Sequence, residues 1–219
     1  MNNTTPNPHS FIAVEGPIGV GKTTLTKRLA ETFNVDTLLE DAEANPFLER
    51  FYQNPKQVAL PTQLYFLFQR AKKIQALRQN DLFQPVRVAD FLMEKDRLFA
   101  RFTLDADELH LYELVYEQLI INTPTPDLVV YLQASPDVLM RRIEKRGLHF
   151  ERPIERDYLI RLNEAYTHFF HFYDAAPLLI VNAEELDWVD NEVDYNSLVD
   201  YITQTQSGRH YFNPQSTKY

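Results

Sequence analysis

The chain has no cysteine at all. That excludes disulfides and thiolate metal sites, and it fits a reducing compartment. Basic charge is in deficit: 22 Lys and Arg stand against 31 Asp and Glu, a formal net charge of -9. This argues against a surface that grips a nucleic-acid backbone non-specifically, though a small basic pocket is compatible with it. No apolar run approaches the ~20 residues needed to cross a bilayer as a helix. The first ten residues, MNNTTPNPHS, lack the basic start and apolar middle of a secretion signal. The expectation is a soluble cytoplasmic protein that binds neither membrane nor nucleic acid. Glycine is also scarce, with five in 219 residues, yet three of them fall within six positions in the stretch VEGPIGVGKTT, residues 14–24.

Hydrophobic residues make up 44% of the chain, enough for a sizeable core. Phe11–Glu15 reads as a buried strand, and a helix is expected from about Gly21 to Phe33. Val35–Glu40, Val86–Ala89, Asp127–Leu132 and Pro177–Asn182 read as further strands. Helices are expected over a long segment opened by Pro61, over Asp105–Ile121, from a Ser135 hydroxyl cap onward, over Glu155–Tyr173, and briefly after Asn191. Strands alternate with helices and are continuously apolar, which predicts an α/β fold: three layers, with a parallel sheet of about five strands covered on both faces. No repeat or linker divides the chain. The expectation is one domain over 1–219, with polar tails at 1–9 and 205–219 and an irregular lid at about 142–154.

The glycine cluster fits G-x-x-x-x-G-K-[ST] through Gly16, Gly21, Lys22 and Thr23, with Gly19 inside, and it lies between a strand and a helix as that motif requires. Glycines let the backbone wrap a polyanion with its N–H groups turned inward, and the helix start adds a positive dipole end. Gly16, Pro17, Ile18, Gly19, Val20, Gly21, Lys22, Thr23 and Thr24 are therefore expected to cradle a nucleoside triphosphate. Lys22 reaches its outer phosphates, and the Thr23 hydroxyl serves Mg²⁺. The segment LMRRIEKRGLHFERP, residues 139–153, supplies Arg142 and Arg146 four apart on one helix face. Such arginines suit the lid of a small-molecule kinase. No N-K-x-D element of a guanine-reading switch occurs after a strand, and the short strand VRVAD is a poor match for the apolar strand of a motor.

From Phe11 to Asn182 these elements, in this order, resemble the deoxynucleoside kinase family, the deoxyadenosine, deoxyguanosine and deoxycytidine kinases. The resemblance implies a P-loop kinase fold, transfer of the ATP γ-phosphate to a deoxynucleoside 5′-hydroxyl in nucleotide salvage, and a homodimer through the long helices. It implies that Glu40 accepts the 5′-hydroxyl proton, with Asp41 and Glu43 as competitors for that role. Tyr52 and Glu151 bond the 3′-hydroxyl. Gln63, Arg70 and Asp96 read the base, with a purine as the first choice. Arg142 binds the donor adenine or phosphate, Arg146 clamps the moving phosphoryl group, and Asp90 assists Thr23 at Mg²⁺. Residues Ala183–Asp187 hold the donor adenine through backbone groups. Two family arginines are replaced, by Phe91 and Leu148, and an acid by Phe150; His149, Arg97 and Arg152 are the cations near enough in sequence to substitute. A thymidylate-kinase-like monophosphate kinase is the neighbouring alternative, but no Asp-Arg-Tyr element follows the third strand to hold an acceptor phosphate. A nucleotide-gated binding protein without phosphotransfer is the alternative from another class. His168 and His171 are three apart with no third ligand, a poor start for a metal site. The aromatic run Tyr166–Tyr173 reads as core or dimer surface.

Overall fold

The computed structural model describes residues 8–79, 87–119 and 124–213. Val86, Ile120, Ile121 and the tail residues 1–7 and 214–219, all named above, lie outside it. In chain order the elements are β1 (Phe11–Glu15), α1 (Lys22–Phe33), β2 (Asp36–Leu38), α2 (Leu48–Gln53), α3 (Pro55–Gln79), β3 (Arg87–Ala89), α4 (Lys95–Thr103), α5 (Ala106–Leu119), β4 (Leu128–Gln133), α6 (Pro136–Arg146), a 3₁₀ turn (His149–Glu151), α7 (Arg156–Phe172), β5 (Leu178–Asn182), α8 (Glu192–Gln204) and β6 (Arg209–Phe212).

The strands form one sheet in the order β2-β3-β1-β4-β5-β6, with every neighbouring pair parallel. Helices cover both faces, so the central strands are apolar along their whole length: Ile12, Ala13, Val14, Leu128, Val129 and Val130 are all fully buried. The sheet has six strands rather than about five. The sixth, β6, lies in the stretch expected to be a polar tail. Its Arg209, His210 and Tyr211 are exposed, and only Phe212 turns into the core, so an edge strand of this composition carries little apolar signal. Among the described residues no helix is long and apolar enough to cross a membrane.

Helix ends follow local chemistry. Asn34 (φ 55°) and Gly147 (φ 70°) close α1 and α6 in the left-handed conformation. The Asn191 side chain accepts from the amides of Val193 and Asp194 at the start of α8. Ser135 precedes α6, but its hydroxyl makes no capping bond; Pro136 removes one donor, and the Ser135 amide itself donates to Glu184 at 2.5 Å. The long helix α3 kinks at Val58 (φ -138°, ψ 16°), which leaves Pro61 in the first turn of its second segment. Tyr166 and Phe170 on α7 are buried and stack on Tyr131, whereas Phe172 is exposed.

All six strands run the same way, so the loops leaving the carboxyl ends of β1, β2 and β3 converge. That edge is where open parallel sheets bind ligands.

Candidate active site

The loop after β1 turns tightly at Gly16, Gly19 and Gly21, with φ of 151°, 82° and 105°. A Cβ on Gly16 would come within 2.5 Å of the Leu132 carbonyl oxygen, and one on Gly21 within 2.7 Å of Trp188 Cζ2. Side chains are thus excluded both by conformation and by space. Lys22 opens α1 and folds back over the loop, its Nζ donating to the carbonyls of Gly16 (2.7 Å) and Pro17 (3.1 Å). Burial first, and the Lys95 ammonium second, bring the Lys22 pKa down to about 8.

Asp90, just past β3, ties three segments together. It accepts the Thr23 hydroxyl at 2.6 Å and the Glu40 amide at 2.7 Å. Glu40 follows β2 and faces the same cavity as Lys22. Its Oε1 accepts from Arg70, and its Oε2 lies 3.8 Å from the Lys95 ammonium. Burial alone would raise the pKa of Glu40; Arg70, Lys95 and Lys22 together hold it down to about 2. Asp41 and Glu43 are exposed and do not line the cavity.

Arg70 is bonded on its other side to Asp96, which is completely buried. Gln63 is one face of the same helix further back, 3% exposed, and lines the cavity with Phe51, Phe66 and Phe99. Arg70 Nε and Asp96 Oδ2 are buried with no hydrogen-bond partner among the described residues. Across the cavity, Arg146 grips Glu151 with Nε (3.0 Å) and a terminal nitrogen (2.5 Å). Tyr52 meets Tyr158 edge-on at 6.0 Å, and burial raises its pKa well above the usual phenol range. The cavity has a volume of about 190 Å³, on the order of six water volumes, and is lined by the glycine loop and by an aromatic wall bearing an amide and an ion pair.

Of the expected site residues, Ile18, Gly19, Gly21, Lys22, Thr23, Thr24, Glu40, Tyr52, Gln63, Arg70, Asp90, Arg146 and Glu151 line this one cavity, whereas Gly16, Pro17 and Val20 of the glycine loop do not. Asp96 stands directly behind Arg70. Arg142 does not line it. Its guanidinium donates to the carbonyls of Val20 (3.1 Å) and Ala183 (2.7 Å), joining the glycine loop to the segment after β5. Beyond Ala183 that segment lays Trp188 on Gly21, and Arg28 donates to the Trp188 carbonyl. The three cations named as substitutes for the missing arginines are elsewhere: Arg97 pairs with Glu117, His149 with Glu49, and neither they nor Arg152 line the cavity. Beside Arg70, a second buried cation does line it: Lys95, which no sequence motif marks. Nor does one mark Glu15. It is fully buried, accepting from the amides of Gly16 and Leu92 and from the Tyr166 hydroxyl, each at 2.9 Å. Phe91 points away, into the core between α3 and α5 with Leu67 and Tyr112.

Oxygen donors at Thr23 and Asp90 suit Mg²⁺, which keeps several waters and takes one or two protein oxygens plus substrate phosphates. Among the described residues no group of three or more His, Asp or Glu side chains forms a cage of its own.

The family model described as deoxynucleoside kinase matches residues 12–206. A deoxyguanosine kinase of Bacillus subtilis is 36% identical over 208 residues, covering 92% of this chain and 98% of the relative. A deoxyadenosine kinase of Lactobacillus acidophilus is 32% identical over 195 residues, covering 82% and 88%. The structure of a deoxyadenosine kinase from M. mycoides with the products dCMP and a flexible dCDP bound superposes with a TM-score of 0.75 at 26% identity, over 88% of this chain and 98% of that one. With a glycine loop, a strand-end carboxylate and a glutamine–arginine wall gathered round one cavity, and a family match running almost from end to end, this chain belongs to the deoxynucleoside kinase family.

Proposed function

We propose that this kinase transfers the γ-phosphate of ATP to the 5′-hydroxyl of a purine deoxynucleoside, giving the monophosphate and ADP, as a cytoplasmic salvage enzyme. The reading is carried by one observation: Glu40 stands in the same cavity as Lys22 and within bonding reach of Arg70, so an alcohol, a phosphoryl group and a base can be held at once.

The loop amides and Lys22 hold the phosphates of the donor, and Lys22 exchanges its two carbonyl bonds for phosphate oxygens. Thr23 and Asp90 would hold Mg²⁺, which would supply positive charge against the donor's outer phosphates. Glu40 accepts a hydrogen bond from the 5′-hydroxyl through Oε2, since Oε1 is committed to Arg70. A carboxylate with a pKa of about 2 is a weak base. That suits a loose phosphoryl transition state, in which the attacking alcohol needs orientation first and loses its proton late. Arg146 releases part of its hold on Glu151 to meet the moving phosphoryl group, and Tyr52 and Glu151 bond the 3′-hydroxyl. Gln63 and Arg70 face the base edge, and Asp96 stands behind Arg70 and holds its guanidinium in place; the glutamine amide offers donor and acceptor side by side. Purine preference draws further support from the deoxyguanosine and deoxyadenosine kinases among the relatives. Leu111 and Leu114 on α5 and Phe68 on α3 are about half exposed, an apolar face suited to a second copy in a homodimer.

The test is ADP release from ATP-Mg²⁺ with deoxyadenosine, deoxyguanosine, deoxycytidine, thymidine and their monophosphates. Turnover is expected with the purine deoxynucleosides. Turnover only with monophosphates, or with nothing, refutes the proposal. Glu40→Gln should lower kcat by about 100-fold or more while ATP still binds; unchanged turnover removes Glu40 from the mechanism.

A further inference from the structure

Lys95 opens α4, and a helix start is an unfavourable place for a buried lysine. The helix dipole favours anions there, and burial penalises an ammonium anywhere. Its side chain is nonetheless only 4% exposed. The ammonium lies 3.4 Å from Glu15 Oε1 and 3.8 Å from Glu40 Oε2, and 5.8 Å from the Phe99 ring centre. Glu15 already accepts three hydrogen bonds, two from amides and one from Tyr166. Both Lys95 distances exceed the length of an ordinary N–H···O bond, so the ammonium is shared between two carboxylates and still lines the cavity.

We propose that Lys95 is a positioning residue for phosphoryl transfer: standing on the Oε2 side of Glu40 while Arg70 holds Oε1, it fixes the rotation of that carboxylate so that Oε2 faces the acceptor hydroxyl. Arg70 alone bonds one oxygen and leaves the carboxylate free to turn about its last single bond. A second cation on the other oxygen removes that freedom. Residue 91 cannot supply it, because Phe91 is buried in the α3–α5 core. The helix that begins four residues later supplies it instead, its first side chain reaching Glu15 and Glu40. The proposal rests on the reading of Glu40 as the group that receives the acceptor's proton.

The experiment is steady-state kinetics and thermal melting on Lys95→Met, Glu15→Gln, the double variant Glu15→Gln/Lys95→Met, and Glu40→Gln. Lys95→Met is expected to lower kcat by about 10–100-fold, the scale of a small misplacement of a reacting group, with KM for ATP changed by less than about threefold. It should also melt earlier, because Glu15 loses its cation. The double variant removes both charges and should recover much of that Tm relative to Lys95→Met while keeping the loss of kcat; it also carries the kinetic test if Lys95→Met does not fold. The proposal is overturned if kcat of Lys95→Met stays within twofold of the wild type. It is equally overturned if the double variant regains the kcat of Glu15→Gln, since Lys95 would then serve Glu15 alone. Wild-type turnover in Glu40→Gln would sink the reading of Glu40 separately, whatever Lys95 does.

Discussion

Replacing Arg70 with leucine would strand two carboxylates at once. Asp96 is completely buried and Glu40 has 18% of its side chain exposed, and Arg70 is the hydrogen-bond partner of both. Removing one member of a buried ion pair costs about 3–5 kcal/mol, because the remaining charge stays desolvated. For a chain of this size about 1 kcal/mol moves Tm by ~2–4 °C, so Arg70→Leu should melt about 6–20 °C below the wild type. The double variant Arg70→Leu/Asp96→Leu makes the argument specific. Among the described residues Asp96 Oδ2 has no hydrogen-bond partner and Oδ1 has only Arg70, so a leucine at 96 gives up no hydrogen bond once Arg70 is gone. Replacing a buried ion pair by apolar side chains of similar size is often neutral or stabilising. Glu40 keeps Lys95 and its partial access to solvent, so the double variant should recover most of the lost Tm. It should still discriminate poorly between bases, with kcat/KM for the preferred deoxynucleoside down about 100-fold or more because the polar wall is gone. Differential scanning calorimetry on the two variants decides the point. A single variant melting within 2 °C of the wild type, or a double variant no better than the single, would refute the claim that Arg70 neutralises both acids.

Gly21→Ala places a methyl 2.7 Å from the Trp188 ring at a φ of 105°; strain and overpacking together should cost about 2–6 kcal/mol, read as a lower Tm, and an unchanged Tm would show that the loop yields freely. Lys22, with a pKa of about 8 in the free protein, is neutral above that pH, whereas a bound triphosphate favours the ammonium. ATP affinity should therefore fall as pH rises from about 8 toward 10, by up to ~10-fold per unit, with proton uptake on binding. Calorimetric titration in two buffers of different ionisation heat measures it, and a flat affinity across that range refutes it. Leu111→Lys with Leu114→Lys puts two charges on the exposed face of α5 and should convert the proposed dimer to monomer by light scattering, with a lower Tm because the stabilisation from association is lost; an unchanged particle size would refute this face as the contact.

The glycine loop was legible because its meaning is local: three positive-φ glycines, a lysine and a threonine in eight residues leave few other uses. The parallel sheet was legible because β1, β4 and β5 are buried on both faces and so carry no polar alternation. What escaped notice were elements whose reason is tertiary. The helix α4 opens with Lys95 and Asp96, both buried, and two buried charges in a first turn look like a solvated loop when read one residue at a time. Its stabilising partners, Glu15, Glu40 and Arg70, are 26 to 80 positions away in sequence. The short α2 and the edge strand β6 lack the length or the apolar periodicity to announce themselves. Trp188 sits in a run of acids that reads as a solvated loop, and contacts as distant as a glycine 167 residues earlier give it a place in the core. The pair Arg70–Asp96 could be anticipated from family resemblance, but not that Glu40 would complete it as a triad.

That triad changes how the charge of the whole chain should be understood. The protein carries nine more acids than bases, yet Lys22, Arg70, Lys95 and Arg146 line the cavity against Glu40, Asp90 and Glu151. Each of these acids is already engaged: Glu40 with Arg70, Asp90 with Thr23 and a backbone amide, Glu151 with Arg146. Among the described residues Lys22 is held by two carbonyl oxygens, whereas Lys95 stands between two carboxylates. Lys22 is therefore a cavity cation that no carboxylate holds, and it opens the helix that follows the glycine loop. A polyanion entering there takes the place of its two carbonyl partners and leaves the ion pairs standing. The acidic surface then has a consequence of its own: it repels other polyanions at long range, and attraction takes over only within about a Debye length of the mouth. The association rate of a triphosphate should accordingly rise with added salt, the opposite of the dependence in a basic protein, while its equilibrium affinity falls because the contacts inside are ionic. Stopped-flow binding at 20 and 200 mM salt separates the two; an association rate that drops with salt would mean the cavity's field, and not the surface's, governs approach.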